Sequence, residues 1–177
     1  MTHLRPAITL LALFTLLLGL AYPLVLTGIA SALFPHQSQG SPVVVGDQLI
    51  GSSLIGQAFA EPGYFHPRPS AGGYDPMASG GSNLGPTSAK LIERIKAEAT
   101  PGIPADAVTT SASGLDPDIS PENALSQVAR VAKARGMPED TIRALVQAQT
   151  ESRLWGLIGE PRVHVLALNL ALDALTQ

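Results

Sequence analysis

The residue types that could do acid–base, metal or nucleophilic chemistry are present in this chain, but few are spaced for it. His36, His66 and His164 lie far apart and show no ligand spacing such as His-x-x-x-His. Each reads as an ordinary surface or packed residue. Serine is frequent, yet no Gly-x-Ser-x-Gly elbow occurs, so a serine near a histidine carries no weight. Cysteine is absent, which excludes disulfides and thiolate metal sites. Asp116 and Asp118, flanking Pro117, are the most suggestive pair, because two carboxylates can divide acid and base roles when burial separates their pKa values. The alternative function they suggest is a membrane-anchored exported hydrolase using Asp116, Asp118 or His66. The plainer reading is a turn: Asp before Pro favours one, and Asp118 lies just ahead of a helix N-terminus, where negative charge is favourable.

The segment Tyr74 to Pro86 is the most unusual in composition. Within it Ser79, Gly80, Gly81, Ser82, Asn83, Leu84 and Gly85 form a glycine-rich loop before a helix. Such loops can cradle phosphate with backbone N–H groups. This one lacks the Gly-Lys-Ser/Thr ending, and the next lysine is Lys90. Glycines that permit positive φ or close backbone contact explain it more simply, either as an internal turn or as a loop docking on a partner.

What positions these residues begins with an anchor. No Asp, Glu, Lys or Arg occurs from Ala7 to Phe34, a stretch of about 40 Å as helix against the roughly 30 Å bilayer core. Tyr22-Pro23 interrupts it without excluding a membrane helix. A cleaved signal peptide is the alternative, with Ala30-Ser31-Ala32 as its site, but the apolar run is twice the usual length of a signal core. Arg5 precedes the helix, and the next Lys or Arg is Arg68. The positive-inside rule then keeps the N-terminus cytoplasmic and exports the rest. The expected organisation is residues 1–34 as cytoplasmic stub and membrane helix, 35–42 as linker, and 43–177 as one exported domain. That domain is mildly acidic, with no basic stripe, so nucleic acid is not an expected partner.

Within the domain, Val43–Val45 and Gln48–Ile50 around Gly46-Asp47 read as a hairpin. Thr87 to Ala99 has helical spacing, ended by Thr100-Pro101-Gly102. Val108 to Ser113 reads as a strand. Ser120-Pro121-Glu122 starts a helix that stops at Gly136. Another follows Pro138, led by Glu139 and Asp140, with Ile142, Leu145 and Val146 on its buried side. Arg162 to Val165 reads as a short strand and Leu166 to Leu175 as a last apolar helix. The fold class is α+β: one transmembrane helix, then several helices around a small sheet.

Four segments, taken in order behind one anchor, resemble a known family. They are Gly51–Gln57 with Tyr64–Ser70; Ser79–Pro86; Ser113–Pro117 with Ile119–Pro121; and Gly159–Val163 with Leu168–Asp173. Together they are similar to the C subunit of the bacterial Kdp-type potassium-transporting P-type ATPase, over nearly the whole chain. Two departures are visible: Ser152 stands where the family usually has Gly, and His164 where it often has Asn.

The resemblance implies a non-catalytic accessory subunit in the cell inner membrane. Its partners would be a potassium-conducting A subunit, an ATP-hydrolysing B subunit and a small F subunit, besides membrane lipid. The complex uses ATP, magnesium and potassium, while no cofactor is assigned to this chain directly. The family's C subunit is described as an assembly factor and as a catalytic chaperone that raises the ATP affinity of the B subunit. An exported domain could do the latter only by favouring one conformation of the pump. No catalytic or metal residue is assigned, and Ser79 to Gly85 is the candidate docking loop.

Overall fold

The computed structural model describes residues 3–98 and 101–175. Thr100, expected to help end a helix, lies outside them. The chain forms two compact units, Met1–Ser52 and Ser53–Gln177.

The first unit is dominated by helix α1, Leu4–Leu33, whose apolar composition (mean hydropathy 2.3) and 30-residue length suffice to cross a membrane. None of its side chains is buried against the protein. Pro23 has no N–H, and its ring would collide with the carbonyl one turn back. The helix answers by widening rather than breaking: Leu17–Ala21 is a π turn, closed by Tyr22 N–H donating to Leu17 O. After α1 the chain makes a helical turn at Pro35–Ser38. It then enters an antiparallel hairpin of β1 (Pro42–Val45) and β2 (Gln48–Ser52), with a bulge at Val43/Val44. Gly46 at φ +61° takes the first turn position, as a type II′ turn requires.

The second unit is built around three helices and a small sheet. α3 (Pro121–Arg135) starts where Ser120 Oγ accepts the Asn123 N–H at 3.0 Å and ends at Gly136 with φ 65°. It buries Ala124, Val128, Val131 and Ala132, one face at helical spacing. Against that face lie Ile142 and Val146 of α4 (Glu139–Ala148), and Val165, Leu168 and Leu172 of α5 (Val165–Ala174). Leu145, expected inside, is only partly buried. The sheet has the order β3 (Asp118–Ile119), β5 (Arg162–His164), β4 (Thr150–Glu151), all antiparallel, with Val163 fully buried at its centre. The earlier helix α2 spans Ala89–Glu98.

The expected strand at Val108–Ser113 is absent. Ala105–Val108 is a helical turn, and the hydroxyls that follow serve local bonds instead of a ladder. Thr109 Oγ1 donates to Ala105 O at 2.7 Å, and Ser113 Oγ accepts from Leu115 N at 3.1 Å. The strand after Arg162 also ends one residue early, because His164 caps α5. Its Nδ1 accepts from Ala167 N at 3.2 Å while Nε2 donates to Ser53 O at 2.8 Å. Asparagine is also among the best capping residues, so the His164 departure is compatible with a cap at this position.

Candidate functional site

The glycine-rich loop is partly engaged by its own chain. Ser79 Oγ donates to Ser113 O at 3.0 Å, and Gly80 N–H donates to the same carbonyl at 2.8 Å. A Cβ on Gly81 would come within 3.1 Å of Ala112 O, and one on Gly114 within 2.8 Å of Gly80 O. Two backbones therefore touch here. Ser70 Oγ ties the region further, donating to Gly114 O at 2.7 Å and accepting Tyr74 N–H at 3.0 Å. Tyr74 Oη donates to Arg68 O at 2.7 Å, and burial pushes its phenol pKa up. The glycines were expected to supply positive φ, but within the loop the left-handed residue is Asn83 (φ 53°). Gly80 has an ordinary φ and open space around its Cβ position. With the Gly80 N–H already donated and no lysine in the loop, Ser79 to Gly85 does not fit a nucleotide phosphate. Asn83 and Gly85 remain exposed.

Asp116 and Asp118 turn out to be structural. Asp116 Oδ1 accepts the Asp118 N–H at 3.1 Å, closing a turn around Pro117, and its Oδ2 pairs with Arg68 Nη1 at 3.1 Å. Asp118 lies 3.4 Å from Arg162 Nη1. Burial raises its pKa, with Arg162 and then His164 opposing. The sequence offered no reason to single out Asp106, yet it holds the start of α3. Its Oδ2 accepts from Ser120 N (2.8 Å) and Asn123 Nδ2 (3.1 Å), and its Oδ1 from Ser120 Oγ (2.9 Å). These carboxylates line an open cleft of about 990 Å³ with Glu122, Glu151 and Glu160. Among the described residues no three His, Asp or Glu converge as metal ligands.

His66 lies elsewhere, in a separate hollow of about 300 Å³ beside Gln127 and Arg130. Its Nε2 is 3.1 Å from Glu61 O and 3.5 Å from Arg130 Nη1. Burial lowers its pKa, the Glu61 carbonyl opposes, and Arg130 lowers it further. The structure thus does not assemble His66 with Asp116 and Asp118. His36 sits in the first unit, on the turn after α1.

A feature that no motif marked is the hairpin joining β4 to β5. Pairing continues past Glu151↔Arg162 to a bridge between Leu154 and Ile158, and every residue from 151 to 162 is exposed. Trp155 (82% exposed) and Leu157 (84%) form its tip. Trp155 takes φ 52° and Gly156 φ 74°. Ser152 is not among the positive-φ residues, so nothing in its backbone here requires a glycine. The available signal was the apolar run Leu154-Trp155-Gly156-Leu157-Ile158 between Arg153 and Glu160, which belongs to no amphipathic period.

One N-terminal helix long and apolar enough to cross a membrane, followed by a small α+β domain, fits the class of single-pass membrane proteins. The family model described as K+-transporting ATPase, c chain (KdpC) matches residues 4–174, and this chain belongs to that family. It is 60% identical to the potassium-transporting ATPase KdpC subunit of Allorhizobium ampelinum, covering 98% of this chain and 97% of that one. The same subunit of Caulobacter vibrioides is 58% identical over 98% and 94% of the two chains. That of Methylorubrum populi is 52% identical over 100% and 99%. The chain is therefore a subunit of a K+-transporting ATPase complex, as the four ordered segments implied.

Proposed function

We propose that this subunit acts from outside the cytoplasm as a non-catalytic assembly factor and conformational chaperone of the pump. Its partners are the potassium-conducting, ATP-hydrolysing and small membrane subunits of the same complex, which consumes ATP with magnesium to import potassium. The observation that carries the reading is the charge asymmetry around α1. Arg5 lies in its first turn, and Lys and Arg are absent from there until Arg68, which favours export of everything after the helix. Family membership supports the coarser part of the reading, a subunit of a K+-transporting ATPase complex.

An exported domain cannot reach cytoplasmic ATP, so its effect on ATP affinity runs through the pump's conformational equilibrium. Such coupling is typically about 1–3 kcal/mol, or roughly 5–150-fold. Membranes without this chain are expected to yield less intact pump, and the pump recovered from them to show an ATP KM raised within that range, restored by adding the chain. Complexes that assemble normally with an unchanged ATP KM would remove both the assembly and the chaperone roles. Ser79 to Gly85 remains the loop proposed to dock, and within it the exposed Asn83 and Gly85 are the groups left to a partner.

A further inference from the structure

We infer that the β4–β5 hairpin tip, Leu154 to Ile158, is a protein-docking element that inserts into an apolar pocket rimmed by basic residues on another subunit of the complex. The inference rests on the subunit reading above and goes beyond it by naming the surface and the partner's chemistry.

Four large apolar side chains are held out in water on one short loop: Leu154 and Ile158 at 58%, Trp155 at 82% and Leu157 at 84% exposure. Scattered exposed apolar residues need no explanation, but a contiguous cluster does. This cluster is also held in shape. Leu154 N–H donates to Ile158 O at 2.9 Å, Ile158 N–H to Leu154 O at 3.1 Å, and Gly156 N–H to Arg153 O at 3.0 Å. Ion pairs brace the arms below the tip, Arg153–Glu160 at 2.6 Å and Arg162–Glu151 at 2.9 Å. A rigid tip loses little freedom on docking, and tryptophan is the residue most enriched at interface hot spots.

Charge selects the occupant. The cleft beside the tip carries six carboxylates: Asp106, Asp116, Asp118, Glu122, Glu151 and Glu160. Against them stand the guanidinium groups of Arg68, Arg162 and Arg153, so the surround is net acidic. An anionic bilayer surface attracts basic, not acidic, flanks. Two copies of this chain would bring like charge together. A partner protein with basic residues around an apolar pocket satisfies both features.

The test uses the full-length chain and the pump purified without it, both in detergent. Saturable capture of wild-type chain by the pump is expected, and its absence would remove the subunit reading together with this inference. Trp155→Ala and Leu157→Ala should each weaken capture about 30-fold or more, with unchanged melting curves. Leu157→Ala keeps the test sound if Trp155→Ala, at a left-handed position, disturbs the hairpin. Met77→Ala trims a side chain that is 92% exposed and should have no effect. Wild-type capture by both tip variants would overturn the inference and leave the subunit reading standing. Trp155 is the only tryptophan in the chain, so its emission in nanodiscs of brominated phosphatidylcholine and phosphatidylglycerol reports lipid contact. It should be unquenched. Strong quenching, or self-association abolished by Trp155→Ala, would also overturn the assignment to a protein partner.

Discussion

Gly56 lies directly against the backbone of Asp116. Its N–H donates to Leu115 O at 2.8 Å, and a Cβ built on it would meet Asp116 O at 2.5 Å. The obstacle is a carbonyl and not the end of a flexible side chain, so it cannot step aside. Gly56→Ala should therefore destabilise the Ser53–Gln177 unit by about 1–3 kcal/mol, the usual range for overpacking. Urea unfolding followed by circular dichroism measures it; an unchanged midpoint would show that the contact relaxes freely.

Asn169 is buried at 2% exposure and binds both backbone polar groups of Phe65. Its Oδ1 accepts Phe65 N–H at 2.8 Å and its Nδ2 donates to Phe65 O at 3.0 Å. Asn169→Leu keeps the volume but strands a buried donor and a buried acceptor, at about 1–3 kcal/mol each. The expected result is a loss of several kcal/mol in the same unfolding experiment, well beyond that of an exposed Asn83→Leu control.

The glycine-rich loop separates two roles by position. Gly80→Val meets open space at an ordinary φ and should leave the melting temperature nearly unchanged, whereas Gly81→Val must push on Ala112 O and should lower it. Asn83→Ala, at φ 53° on the exposed side, tests docking through capture by the pump. Equal melting losses for the two glycine variants would contradict the described packing.

His66 gives a pH dependence with a definite sign. Burial holds its folded pKa below the ordinary 6.5, so the unfolded chain binds the proton more readily. Its contribution to stability is complete above the unfolded value and is lost as pH falls through 6.5 toward the folded value. Melting temperature should decline across that interval, and His66→Gln should flatten the decline. A wild-type curve that rises on acidification, with no change in the variant, would refute the assignment.

Orientation is checked with reporters fused to the C-terminus. Alkaline phosphatase should be active there and a cytoplasmic fluorescent reporter dark. Intact mass of the membrane-extracted chain should retain Arg5 and all of α1. A start at Leu33 would mark cleavage after the Ala30-Ser31-Ala32 site.

Features governed by a few neighbouring residues were legible without the structure. The uncharged run from Ala7 that fills most of α1, the Ser120–Pro121 start and Gly136 stop of α3, the Gly46-Asp47 turn, the apolar spacing of α4 and the apolar composition of α5 all follow from local propensity and period. The misreading at Val108–Ser113 has the same root: β-branched composition suggests a strand, but a strand needs a partner, and hydroxyls that bond locally removed that segment from the sheet. Only the tertiary structure decided which carboxylate meets which base, separating His66 from the Asp116–Asp118 turn and giving Asp106 the N-terminus of α3. It alone showed why Gly56 and Gly114 must be glycine and why Gly81 has little room for a side chain, since the atoms in the way of a Cβ belong to residues distant in sequence. It also turned the run from Leu154 to Ile158 outward. An apolar run of that length could equally have been core, and whether it is buried depends on what the rest of the chain leaves uncovered.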